Sequence, residues 1–220
     1  MKRFFFVFMF CVGMLAANAQ VAEKTFAELK NEGNAAVAAK DFPKALELYE
    51  QALAKWGNKP IADTSMIYNM GYLAFTSKNY EKALKYFDQS INMNYKKVNA
   101  LVYKADTYKA LKNDTETLKS LEEALAIAPD DAKVKTKLAA YFVKTATGFY
   151  TKGSSIITKV NNEITAGKLK TTDSVYKAAE QKAKDEYNKA LPLIDKALGF
   201  DPSNKTATQL KTAIEAALKG

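Results

Sequence analysis

Between Thr64 and Lys97 two helical faces follow one another. Apolar and small residues recur at Ile67, Met70, Gly71 and Ala74, then at Ala83, Phe87, Ser90 and Ile91, with the polar turn Ser77-Lys78-Asn79 between the runs. The unit returns along the chain. Gly33 lies 38 residues before Gly71, and Ala105 lies 34 after it. A helix pair of this size cannot bury its apolar side alone, so a repeated pair implies a stacked array. Glycine inside a helix costs about 1 kcal/mol relative to alanine. Gly33 and Gly71 therefore indicate close approach of a paired helix, with Tyr49, Phe87 and Leu121 filling the space between helices.

The order of large apolar residue, adjacent apolar and small residues, then alanine, aromatic and alanine resembles the tetratricopeptide repeat. This resemblance implies an all-α solenoid of antiparallel helix pairs. Repeats are expected at about 26–59, 64–97 and 98–131, the third departing at Thr117 where alanine is usual. The extra residues of the first unit fall around Lys59-Pro60-Ile61-Ala62. Pro43 suits the first turn of a second helix, and Asp41, Asn79, Asn113 and Asp131 can cap. Asp130-Asp131 reads as a capping pair, not a metal site.

The fourth unit, 132–204, is too long by 39 residues. One helical face runs through Leu138, Phe142, Thr145, Phe149, Ile156, Val160 and Ile164, and another through Val175, Ala179, Ala183, Tyr187, Ala190 and Ile194. A single elongated hairpin is expected, its tip at Lys168, Leu169 and Lys170. Gly148 and Gly153-Ser154-Ser155 could split its first arm, and Pro192 should kink or restart its second. Residues 205–219 are amphipathic and read as a C-terminal capping helix that covers the last apolar edge. No linker divides the chain, so residues 20–220 are expected to form one domain.

The start of the chain differs from the rest. Lys2 and Arg3 precede the apolar run Phe4 to Leu15, and Ala17-Asn18-Ala19 is a small-x-small site. This describes a signal peptide, residues 1–19, cleaved after Ala19. The run is too short for a bilayer span of about 20 residues. The expected address is periplasmic or secreted, with no integral membrane segment after cleavage. Cleavage would remove Cys11, the only cysteine, and Arg3, the only arginine, and would lower the net charge from +9 to 31 lysines against 24 acids, or +7. Without arginine, bidentate reading of guanine or phosphate is lost, and the lysines are dispersed. Nucleic acid is not an expected partner.

In tetratricopeptide proteins, ligands are usually peptides held in a groove lined by the first helix of each repeat. The resemblance places that groove at Lys30, Asn34 and Val37, then Tyr68, Asn69, Tyr72 and Phe75, then Val102, Asp106 and Lys109. Tyr68, Tyr72 and Phe75 form an aromatic strip suited to extended peptide or sugar rings, unless it packs against the neighbouring first helix. Lys30, Asn34 and Asn69 match a family clamp for terminal carboxylates, but Asn99 and Tyr103 replace its other basic residues.

Catalysis lacks its usual parts. Histidine is absent, no glycine-rich phosphate loop occurs, and Glu122-Glu123 diverge on their helix. The chain thus reads as a non-catalytic protein- or peptide-binding scaffold of the bacterial cell envelope, without cofactor or metal and with self-association through the hairpin as a further option. A soluble carrier or glycan-binding module using the aromatic strip is the alternative.

Overall fold

The computed structural model describes residues 23–57 and 63–219. The expected signal peptide, Cys11 and the loop around Pro60 lie outside the described residues. Within them the chain forms helices and no strand: α1 (Phe26–Ala38), α2 (Phe42–Trp56), α3 (Thr64–Thr76), α4 (Tyr80–Asn92), α5 (Lys97–Ala110), α6 (Asp114–Ile127), α7 (Ala132–Thr165), α8 (Ser174–Phe200) and α9 (Lys205–Lys219). Each odd helix from α1 to α7 pairs with the next, and each pair stacks on its neighbour.

One turn is used three times. Lys40, Lys78 and Lys112 adopt the left-handed conformation, at φ 60°, 59° and 58°. The next amide in each case, from Asp41, Asn79 or Asn113, donates back to Ala36, Ala74 or Tyr108 at 2.8–2.9 Å. The same three side chains then accept from the amides of Lys44, Lys82 and Glu116 and start the second helix. This double use satisfies the loose ends of two helices within a few residues.

Close approach accounts for three glycines. A Cβ on Gly33 would lie 2.5 Å from the Tyr49 ring, and one on Gly71 would lie 2.8 Å from Phe87. Gly153 of α7 stands in the same relation to Tyr187 of α8, at 2.5 Å. Two apolar clusters result, one built from α1 to α4 with Ala100 of α5 and the other from α5 to α9, and Ile91 packs against both.

The α7 and α8 helices are the longest, with 34 and 27 residues. At 1.5 Å per residue, α7 spans about 51 Å. It runs unbroken through Gly148 and Gly153-Ser154-Ser155, the residues that could have split it. It holds because Ala146, Gly153 and Val160 are buried against α8, so tertiary packing outweighs weak local propensity. Pro192 likewise lies inside α8, flanked by the fully buried Ala190 and Ile194, and the helix does not restart there. Residues Lys168, Leu169 and Lys170 sit in the connecting turn, where the Lys170 amide donates to Asp173 Oδ2 at 2.8 Å. Helix α9 closes the array by burying Ala207 and Ile214. No helix among the described residues is long and apolar enough to cross a membrane.

Candidate functional site

The first helices α1, α3 and α5 carry every residue expected in the groove. Their environments differ sharply. Tyr68 is 9% exposed and Val102 is 1% exposed, so both belong to the interior. Tyr72 is 40% exposed, Asn69 and Lys109 are exposed, and Phe75 and Asp106 are half-buried.

Tyr103 of α5 organises the aromatic residues. Its ring stacks on Phe87 at 5.4 Å and meets Tyr72, Phe75 and Tyr68 at 5.6, 5.9 and 6.3 Å. Such tilted and stacked pairs add about 0.5–1.5 kcal/mol beyond their burial. Burial first, and the neighbouring Tyr103, Tyr95 and Tyr72 next, push the Tyr68 phenol up to about 12. The Tyr103 phenol is also raised, chiefly by burial and then by Tyr72 and Asp106. Both rings therefore stay neutral at physiological pH. The strip expected for sugar stacking is largely consumed in holding α3 against α5, and of its three rings Tyr72 keeps the most open surface. Sequence reading placed Tyr103 only as a mismatch in the clamp. The signal that could have found it is its spacing of four residues from Asn99, which puts it on the α5 face turned to α3.

The clamp positions are occupied by internal contacts. Lys30 pairs with Asp63 across α1 and α3, and Asn34 Oδ1 accepts from the Tyr49 hydroxyl at 2.6 Å. Burial would raise the Asp63 carboxyl, but hydrogen bonds from Lys30, Ser65 and the Met66 amide bring it down to about 2. Asn69 remains exposed.

Toward α7 the inner face becomes charged. Lys133 lies 5.3 Å from the centre of the Tyr103 ring, a cation–π distance. Lys137 Nζ donates to both oxygens of Asp106, at 2.6 and 2.8 Å, and Lys144 donates to Asp114 at 2.8 Å. These pairs edge a cleft of about 70 Å³ floored by Ala105, Leu121 and Ala140, with Lys109 and Tyr141 on its rim. The arrangement offers a small apolar floor within a ring of fixed charges. It can hold a side chain and orient polar groups. Among the described residues no group of His, Cys, Asp or Glu is placed to hold a metal ion.

Two family models, both described as tetratricopeptide repeat, match residues 30–66 and 64–97. This chain contains tetratricopeptide repeats. A structure of a TPR repeats protein from Bacteroides fragilis superposes with a TM-score of 0.53 at 24% identity, covering 88% of this chain and 99% of that one. A tetratricopeptide repeat protein from Parabacteroides merdae gives a TM-score of 0.51 at 13% identity, covering 88% of this chain and 73% of that one. At these identities the likeness is one of fold. Human sperm-associated antigen 1 is 32% identical over 117 residues, which are 53% of this chain and 12% of that protein. The tetratricopeptide solenoid expected from the period is therefore the fold.

Proposed function

We propose that the protein is a non-catalytic scaffold that binds a protein or peptide segment along the inner face of α3, α5 and α7, in the bacterial cell envelope after loss of residues 1–19. The observation that carries this reading is the continuous surface left over once the repeats have packed. Asn69, Tyr72, Lys109 and Lys133 stay accessible on three successive first helices, beside the cleft edged by Asp106 and Lys137. Repeat proteins of this kind use such extended inner surfaces to bind chains. Catalysis is a poor fit to the same surface, whose acids Asp106 and Asp114 are already paired with lysines.

A photo-cross-linking side chain placed at Tyr72, and separately at Glu122 on the exposed side of α6, tests the reading in cells. Adducts specific to position 72 are expected, and they should vanish in an Asn69→Ala/Lys109→Ala background. The same adducts from both positions would overturn inner-face binding. Mass spectrometry of the N-terminus reports the address: a chain beginning at Gln20 is expected, and an intact Met1 would overturn cleavage.

A further inference from the structure

The charge of the chain is unevenly divided. Residues 20–131 carry 15 lysines against 16 acids, whereas residues 132–220 carry 16 lysines against 8. Within that second part α7 is the extreme case, with six lysines, Lys133, Lys135, Lys137, Lys144, Lys152 and Lys159, before its first acid, Glu163. Dispersed in sequence, five of the six align in space. At 3.6 residues per turn all but Lys135 fall within about 100° of one another around the helix axis. Lys159 follows Lys133 by 26 residues, so the row is about 39 Å long at 1.5 Å per residue.

The row starts on the inner face and then leaves it. Lys133 lies over Tyr103, Lys137 pairs with Asp106 and Lys144 with Asp114, whereas Lys152 and Lys159 stand farther along the hairpin. Internal pairing does not exhaust these lysines. Lys133 and Lys159 form no ion pair among the described residues, and the side chains of Lys144 and Lys152 stay 57% and 64% exposed although each meets an acid. An ammonium group has three donors, so a paired lysine can still bind a second carboxylate. With the adjoining Lys109, Lys182 and Lys189, the strip holds eight lysines against four acids, Asp106, Asp114, Glu163 and Glu186. Past Lys144 its exposed neighbours are Gly148, Thr151, Ser155, Thr158 and Asn162, which offer hydrogen-bonding groups and no apolar side chain.

We propose that this row binds an acidic peptide segment in extended conformation, which passes from the inner face down α7 with a carboxylate at about every third residue. The proposal rests on the inner-face reading and adds the charge and register of the occupant. The spacing of the lysines selects that register. Lys137, Lys144, Lys152 and Lys159 follow one another at steps of 7, 8 and 7 residues, or about 10–12 Å along the axis, and three residues of extended chain span about 10–11 Å. A nucleic-acid strand carries a phosphate about every 3.4 Å of its axis, which this row does not match. An anionic bilayer fits less well than a peptide, because a helix lying on lipid turns apolar side chains to it and this strip presents hydroxyls instead. Asp106 also draws Lys137 in toward α5, away from any flat surface.

Fluorescence anisotropy of the purified protein with labelled synthetic peptides of about 12 residues, long enough to span the row, tests the proposal. A peptide with glutamate at every third position, separated by serine and threonine, is expected to bind at least about tenfold tighter than its glutamine counterpart. It should also bind about threefold tighter than an isomer whose glutamates are adjacent, and weaken as salt rises. Lys133→Glu/Lys159→Glu reverses the two unpaired lysines of the row and should cost about tenfold in affinity. Lys205→Glu/Lys219→Glu, an equal change of charge on α9, should leave affinity within about twofold. Circular dichroism checks that each variant keeps its helices. Should the row variant lose helix, Lys159→Glu alone, at an exposed position, should still weaken binding about threefold. No binding below about 1 mM would overturn the proposal, as would equal affinity for the glutamine or the clustered peptide, or an equal loss in both double variants. Sedimentation of the protein with phosphatidylglycerol vesicles, abolished in the row variant, would assign the row to a membrane and overturn it too. A cross-linked adduct at position 72 that persists in the row variant would keep inner-face binding and overturn the row alone.

Discussion

Gly148 and Gly153 are five residues apart on α7 and should respond oppositely to the same change. A Cβ at Gly148 meets nothing within 4 Å, so Gly148→Ala removes only backbone freedom and should stabilise the protein by about 0.5–1 kcal/mol. At Gly153 the added carbon would meet the Tyr187 ring at 2.5 Å, and Gly153→Ala should destabilise by about 1–3 kcal/mol. Urea unfolding of the two variants checks the difference in sign. Sequence reading recognised this contact at Gly33 and Gly71, whose aromatic partners follow 16 residues later, Tyr49 and Phe87. It missed Gly153 because the partner there, Tyr187, follows at 34 residues, across the lengthened hairpin. The left-handed lysines were also missed, since lysine carries no conformational signal of its own. Replacing Lys40, Lys78 and Lys112 by glycine should raise stability by about 1 kcal/mol at each turn, read as an additive rise in melting temperature.

At the scale of the element, Asp63 has two tasks. Its carboxylate caps α3 through the Met66 amide at 3.0 Å and ties α3 to α1 through Lys30. Held down to about 2 in the fold, against roughly 4 in an unfolded chain, it contributes stability that is complete above pH 4 and fades as the pH falls toward 2. Asp63→Asn keeps a capping oxygen and loses the ion pair. It should cost about 1–2 kcal/mol at pH 7 and flatten the acid limb of stability between pH 4 and 2, both measured by urea unfolding across pH. In α8, Pro192 supplies no amide to the carbonyl of Asn188, yet the helix continues. Pro192→Ala restores that bond and should stabilise α8 by about 1–3 kcal/mol, seen as slower amide exchange around residues 188–196. Proline was expected to kink or restart this helix because local chemistry says so; with Ala190, Ile194 and Ala197 buried against α7 and α9, the helix does not restart there.

For the whole molecule the two apolar clusters meet at α4 and α5, and α9 seals the far end. Ile214 is fully buried there, so Ile214→Asp should destabilise by more than about 3 kcal/mol and act first on the α7–α9 end. Hydrogen exchange should then show α5 to α9 losing protection before α1 to α4, because neighbouring units in a solenoid support one another only through shared faces.

The sequence by itself determined the helix pairs, their period and the small residue at each crossing, because these follow from local spacing and from the cost of glycine in a helix. It also placed the unusual length in the fourth unit, since a broken period is visible in one dimension. Which groove residues would remain open was decided by tertiary structure alone. Tyr68, Tyr72 and Phe75 look alike in sequence, yet Tyr103 arrives from a separate helix and covers them unequally. Lys30 and Asn34 match a ligand clamp by position, but Asp63 and Tyr49 reach them first. Surface exposure depends on what packs from elsewhere in the chain, and that information exists only after the repeats have stacked.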